Sequence, residues 1–190
     1  MARKGNMTSR ESYSPTIYLR SGEVYFTDQP TEVMIVLGSC VSVTLYHRRL
    51  GLSAVSHGLL PHCRERAVCA GNCAGFAKFV ECSVRSMAGR FKQSGITLQE
   101  LEARIYGGAE MFGERSSVGS SASVGKQNVE TALKALNDEG LRVHAMDVGG
   151  SLGRKIFFDT GTGEVFLKHI HLRTVSPGSH GEAWIAGTVK

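Results

Sequence analysis

The sequence predicts an α+β fold, an α/β sandwich in which mixed β-sheets pack together with flanking helices. Three observations carry that expectation. Apolar, β-branched runs at Val33–Val36, Val41–Leu45 and Leu50–Val55 read as strands. Phe76, Phe79, Val80, Val84, Met87 and Phe91 recur at helical spacing, as do Val129, Ala132, Leu133 and Leu136. Lys155–Phe158 and Glu164–Ile170 flank Asp159-Thr160-Gly161-Thr162-Gly163, the pattern of a hairpin.

Taken in order, residues 1–20 read as a basic, flexible tail carrying Arg3, Lys4, Arg10 and Arg20. Ile17–Tyr25 alternates weakly and predicts an edge strand, and Asp28-Gln29-Pro30 a turn. From Val33 to Val55 the pattern predicts a strand, a Gly38-Ser39 bend, a second strand, a turn and a third strand ending at His57. An amphipathic helix of four to five turns follows over Phe76–Phe91 and ends at Gly95. Leu98–Glu102 predicts a short helix and Ala103–Tyr106 a strand running into Gly107-Gly108. Ser116–Gly125 reads as a surface loop and Asn128 as the cap of the second helix, which Gly140 terminates. Leu141–Val148 predicts a strand. Residues 21–172 are expected to form a single domain, and 173–190, which hold Trp184, a C-terminal tail.

A chain of 190 residues with 42% hydrophobic and 21% charged residues suits one globular domain with a core of its own. The first twenty residues lack the apolar segment of a signal peptide, and no run approaches the roughly 18 apolar residues that span a bilayer. Those features predict a cytoplasmic protein without membrane insertion. Cys40, Cys63, Cys69, Cys73 and Cys82 make five cysteines, an odd number that argues against a disulfide framework. The net charge is +5, but no basic motif interleaved with aromatics accompanies it, so nucleic acid is not an expected partner.

Several motifs mislead. Gly119–Lys126 imitates a phosphate loop, yet its glycine spacing is one residue too long and Gln127 stands where Ser or Thr would hold magnesium. Gly161-Thr162-Gly163 lies between strands and is a turn. His62, Cys63, Cys69 and Cys73 lack the tight Cys-x-x-Cys pairs of structural zinc sites. His169 and His171 alternate along one exposed strand face with no third ligand. No metal and no cofactor is expected.

The pair that remains is Cys40, in Leu37-Gly38-Ser39-Cys40, and His57, seventeen residues later in His57-Gly58-Leu59-Leu60-Pro61. Adjacent strands would bring thiol and imidazole within reach, and an imidazole can activate a thiol that is a poor nucleophile at its ordinary pKa. Backbone N–H groups at the Gly38-Ser39-Cys40 bend are placed to receive an oxyanion.

These two motifs resemble those of the chemoreceptor glutamine deamidase family, CheD. Ile105-Tyr106-Gly107-Gly108-Ala109-Glu110-Met111-Phe112 is similar to the family's Phe-Gly-Gly-Ala-x-Met-Phe segment. Val124-Gly125-Lys126-Gln127-Asn128 looks like its Ile-Gly-x-x-Asn helix start, and Asp147-Val148-Gly149-Gly150 with Gly153-Arg154 like its Asp-x-Gly-Gly-x-x-Gly-Arg signature. The likeness runs from about Ser21 to Leu167. It implies the fold of the cytotoxic necrotizing factor catalytic domain. It also implies a protein-glutamine glutaminase that converts selected glutamines of methyl-accepting chemotaxis receptors to glutamate and ammonia. Cys40 would be the nucleophile and His57 the base. Gly107, Gly108, Asp147, Gly149 and Gly150 would support the site, and a CheC-type phosphatase is an implied partner.

One position departs from the pattern. The family's third catalytic residue is a threonine six positions before the cysteine, and that position is Met34. The Met34 backbone carbonyl, Thr31 or Thr44 are the candidates to orient His57 in its place. Two other readings compete with the deamidase. One is a catalytically weak adaptor that binds receptor or phosphatase; the other is a zinc or redox module built on Cys63, Cys69 and Cys73.

Overall fold

The apolar runs form two stacked sheets with helices on one outer face. A computed structural model describes residues 15–63, 75–110 and 123–171. Its strands are β1 (Thr16–Tyr18), β2 (Val24–Thr27), β3 (Glu32–Leu37), β4 (Val41–His47), β5 (Leu52–Ser56), β6 (Leu101–Gly107), β7 (Val143–Val148), β8 (Gly153–Asp159) and β9 (Val165–Ile170). Its α-helices are α1 (Val80–Gln93) and α2 (Val124–Asp138). A four-stranded sheet runs β1-β3-β8-β9 and a five-stranded sheet β2-β5-β4-β6-β7. Both are mixed: β1 pairs with β3 and β6 with β7 in parallel, and the other ladders are antiparallel.

Two cores follow from this layering. Val43, Leu45 and Ile105 of the five-stranded sheet pack with Met87 and Phe91 of α1 and Leu136 of α2. Val33, Ile35 and Leu37 of β3 and Ile156 and Phe158 of β8 pack with Val55 and Tyr106 of the facing sheet. Strand β4 is covered on both faces, so every one of its residues is buried, Ser42 and Thr44 included. The α+β sandwich expected from the sequence is the one observed.

Where the local pattern misleads, a specific contact explains it. Ile17–Tyr25 is not one edge strand but two, β1 and β2, in different sheets. Between them the chain turns at Arg20–Glu23, with Gly22 at φ +81° and the Glu23 amide donating to the Arg20 carbonyl. The folded unit also begins before residue 21, because β1 pairs with β3 and Leu19 is buried in the inter-sheet core. Helix α1 starts at Val80, after a 3₁₀ turn at Phe76–Lys78, since Phe79 is extended and bridges Leu60. The short helix expected at Leu98–Glu102 is a 3₁₀ turn over Leu98–Glu100, and Leu101 already belongs to β6. In α2 the N-cap is Ser123, whose hydroxyl accepts from the Lys126 amide, so Val124 and Gly125 are helical rather than loop. Leu133 lies toward solvent, and Asn128 and Thr131 take places on the buried face. His62 bridges the helices, with Nδ1 2.9 Å from Glu81 Oε2 and Nε2 3.3 Å from Thr131 Oγ1.

The β8–β9 hairpin forms as expected, its turn held by Asp159 Oδ1, which accepts from the Gly161 and Thr162 amides. Expectations for residues 1–14, Cys69, Cys73, residues 116–122 and the C-terminal tail fall outside the described residues. Among those described, no helix is long and apolar enough to cross a membrane.

The inter-sheet core makes a direct prediction. Phe158→Ala empties a fully buried site and should destabilise the protein by about 3–5 kcal/mol in urea titrations. A loss below about 1 kcal/mol would mean that the sheets do not share that core.

Candidate active site

Cys40 sits where the chain crosses from one sheet to the other. Strand β3 belongs to the four-stranded sheet and β4 to the five-stranded one, and the Gly38-Ser39 bend joins them. His57 follows β5, the antiparallel neighbour of β4. The next residues of each segment, Val41 and Gly58, exchange both backbone hydrogen bonds, N–H to O=C at 3.0 and 2.8 Å. That bridge holds the thiol and imidazole segments side by side. Gly58 is required there, because a Cβ would stand 2.7 Å from Val80 Cγ2 at the start of α1.

The three carbonyls of the bend are each held from behind. Gly38 O accepts from the Ala109 amide at 2.8 Å, Ser39 O from Asn128 Nδ2 at 2.9 Å and Cys40 O from the Gly108 amide at 2.8 Å. Asn128 Nδ2 also donates to Leu59 O at 2.9 Å, so one buried side-chain amide ties the nucleophile bend to the loop after His57. With Ser39 O turned to Asn128, the Cys40 amide faces the other way, since N–H and C=O of a trans peptide point in opposite directions. The same amide favours the thiolate of its own side chain.

Glycines let the backbone come this close. A Cβ on Gly107, at φ +104°, would lie 2.3 Å from Cys40 O, and one on Gly108 2.3 Å from Val129 Cγ2. Gly149 donates to Gly107 O, and Gly150 O accepts from the Glu110 amide. That turn is held in turn by Arg154, which donates to Gly149 O and Leu152 O through Nη1 and to Asp147 Oδ1 through Nε and Nη2. Burial raises the Asp147 pKa, but hydrogen bonds from Arg154 and His169 outweigh it and leave the carboxyl below its ordinary value. Asp147 and its glycines therefore support the bend without reaching the thiol themselves.

His57 is 2% exposed, and its Nδ1 lies 3.2 Å from the Leu19 carbonyl. A carbonyl only accepts, so the neutral ring carries its proton on Nδ1 and leaves Nε2 as acceptor. This corrects the expected orienting group. The Met34 carbonyl accepts from the Leu19 amide at 3.0 Å and so acts one step removed. Thr31 lies at the far end of β3, its hydroxyl donating to Gln29 O. Thr44 is buried in mid-β4, roughly 10 Å along the strand from Val41. Burial lowers the His57 pKa, partly offset by the Leu19 carbonyl and Glu23. Burial likewise raises that of the Cys40 thiol, against the Ser21 hydroxyl and the Cys40 amide. Burial thus works against charge on both the thiol and the imidazole.

Sequence reasoning missed Leu19, Ser21 and the role of Asn128. A polar residue on the buried stripe of α2 was the available signal for Asn128; the Leu19 contribution is backbone and leaves none. No group of three His, Cys, Asp or Glu among the described residues is placed to hold a metal ion.

A family model described as CheD chemotactic sensory transduction matches residues 59–169. The chain belongs to the CheD family. The probable chemoreceptor glutamine deamidase CheD 2 of Geobacter sulfurreducens is 41% identical over 165 residues, 87% of this chain and 96% of its own. A match of that length necessarily spans Cys40 and His57. The probable CheD deamidase of Oleidesulfovibrio alaskensis is 36% identical, over 81% of this chain and 72% of its own. That of Thermococcus kodakarensis is 37% identical, over 70% and 80%. The hypothetical protein YfiH of Bacillus licheniformis matches at a TM-score of 0.42 and 13% identity over 67% of this chain and 49% of that one, a likeness too slight to bear on the site.

In this CheD chain the Asn128 tie is open to a stability test. Asn128→Ala leaves two partly buried carbonyls without their donor and should lower stability by about 1–3 kcal/mol in chemical denaturation. A loss below about 0.5 kcal/mol would show that the bend is held without it.

Proposed function

We propose that this protein hydrolyses selected glutamine side chains of methyl-accepting chemotaxis receptors to glutamate and ammonia, with Cys40 as nucleophile and His57 as base. The observation that supports the reading is the Val41–Gly58 bridge, which holds the Cys40 and His57 segments side by side, with His57 Nε2 left as acceptor. The names borne by the CheD relatives support the substrate class.

In this reading His57 takes the thiol proton as Cys40 Sγ adds to the amide carbon of the glutamine. The Cys40 amide donates to the oxyanion, and Ser39 serves through its carbonyl, which fixes that peptide plane. His57 gives the proton to the departing ammonia. Water, activated by the same imidazole, then cleaves the thioester to give glutamate and free thiol. The catalytically weak adaptor loses its main support, because the Leu19 carbonyl orients His57 without any help from the side chain at position 34. Binding to a CheC-type phosphatase and action in the cytoplasm complete the proposal.

The decisive experiment is mass spectrometry of a receptor cytoplasmic fragment after incubation with wild type or Cys40→Ala. Wild type alone should add about 1 Da at particular glutamines, the change from amide to acid, while the variant melts at the wild-type temperature. Deamidation by the variant would overturn the role of Cys40. No deamidation by a wild type that binds the fragment would restore the adaptor.

A pH profile follows from the buried imidazole. Only neutral His57 accepts the proton, so activity is lost as pH falls through its pKa. That pKa lies below the ordinary 6.5, and the acid limb of kcat/KM should fall below 6.5 too. An acid limb at or above 6.5 would contradict a desolvated base.

A further inference from the structure

The turn at Arg20–Glu23 is fastened to the backbone of His57 on both sides. The Gly22 amide donates to His57 O at 2.7 Å, and the His57 amide donates to Glu23 O at 2.9 Å. The Arg20 amide, bound at 2.8 Å by Glu23 Oε2, closes the same turn. These contacts leave Ser21 little freedom and put its side chain at the open edge of the site. Its hydroxyl lies 3.5 Å from His57 Nε2, and it is the side chain that counters the effect of burial on the Cys40 thiol.

Donor accounting then fixes the direction. His57 Nδ1 is committed to the Leu19 carbonyl as donor, so Nε2 accepts. A serine hydroxyl has one proton to give and lone pairs to receive with, and a thiol has one proton to give. The Ser21 hydroxyl can therefore donate to His57 Nε2 while its lone pairs stay open to a proton from Cys40. We propose that the Ser21 hydroxyl is a catalytic residue that relays the proton between the Cys40 thiol and His57 Nε2. The idea rests on the Cys40–His57 reading above and adds a third side chain to it.

The relay balances. The Cys40 S–H bond breaks as its proton passes to Ser21 Oγ, while the original hydroxyl proton forms the new N–H bond on His57. Thiolate, intact serine and imidazolium result, with no oxidant or co-reactant. When ammonia departs, the imidazolium proton returns to the leaving nitrogen. A long serine–imidazole distance suits a resting site, since catalytic hydrogen bonds tighten when substrate is bound.

The test reads the thiol directly, so it stays informative whatever the substrate proves to be. The rate of Cys40 alkylation by iodoacetamide, followed by peptide mass spectrometry across the pH range, is compared in wild type, Ser21→Ala and Ser21→Thr. Removing the hydroxyl should slow alkylation at neutral pH by about tenfold and displace its pH profile upward, while Ser21→Thr keeps the wild-type profile. Ammonia release from a receptor fragment should fall by about 10- to 100-fold in kcat with little change in KM for Ser21→Ala, and recover in Ser21→Thr. An alkylation profile that superposes on wild type in Ser21→Ala would overturn the relay. So would faster alkylation at neutral pH, which would make Ser21 a screen over the thiol. If wild type releases no ammonia but the alkylation profiles separate as expected, the glutaminase reading fails and the coupling of Ser21 to the thiol stands.

Discussion

The geometry of the site depends on how the peptide groups of Gly38, Ser39 and Cys40 are held. A bend between strands of two different sheets leaves carbonyls that neither ladder takes up, and buried backbone groups without partners are costly. Here the donors come from the end of β6 and from α2: the Ala109 and Gly108 amides and Asn128 Nδ2. Binding the Ser39 carbonyl from behind turns the Cys40 amide the other way, which is the orientation the proposed oxyanion contact needs. Asn128 also binds the Leu59 carbonyl, so the Cys40 bend and the loop after His57 share one anchor. Its Oδ1 is buried without a hydrogen-bond partner among the described residues, a cost the fold carries to keep both donors in place.

His57 is held by a different part of the chain. Every hydrogen bond named for His57 comes from residues 19–23: the Leu19 carbonyl, the Ser21 hydroxyl, the Gly22 amide and the Glu23 carbonyl. That segment spans the two sheets, β1 lying at the edge of one and β2 at the edge of the other. The imidazole thus reports on how the sheets are stacked, and the Met34 carbonyl, by holding the Leu19 amide, passes the position of β3 on to it. A backbone carbonyl as the orienting group makes the residue type at position 34 immaterial to the tautomer.

What could be read in the sequence follows from the range of the forces involved. The strands of the central sheet, the β8–β9 hairpin and the existence of both helices come from periodicity and turn chemistry, which are local. Cys40 and His57 were legible because a motif keeps them a short distance apart in sequence. Asn128 was not. An Asn before an apolar stripe reads as a cap, and only the fold shows that Ser123 caps while Asn128 reaches residues 89 and 69 positions away. The division of Ile17–Tyr25 into two edge strands was equally hidden, because it depends on Gly22 and on the His57 backbone that receives the turn.

The last support lies on the opposite side of the bend and joins the sheets directly. Arg154 pairs with Leu37 in the β3–β8 ladder, one residue before the bend, and its guanidinium crosses to Asp147 on β7 of the other sheet. Asp147 is partly exposed, so the ion pair itself contributes modestly to stability. The geometry does more. The same guanidinium takes up the carbonyls of Gly149 and Leu152, Gly149 donates to Gly107 O, and the adjacent Gly108 amide binds Cys40 O. A planar group with fixed donors is suited to such a task, since it sets directions as well as distances. The register of the two sheets is carried in this way, through one buried arginine and a run of glycine peptides, to the carbonyl of Cys40.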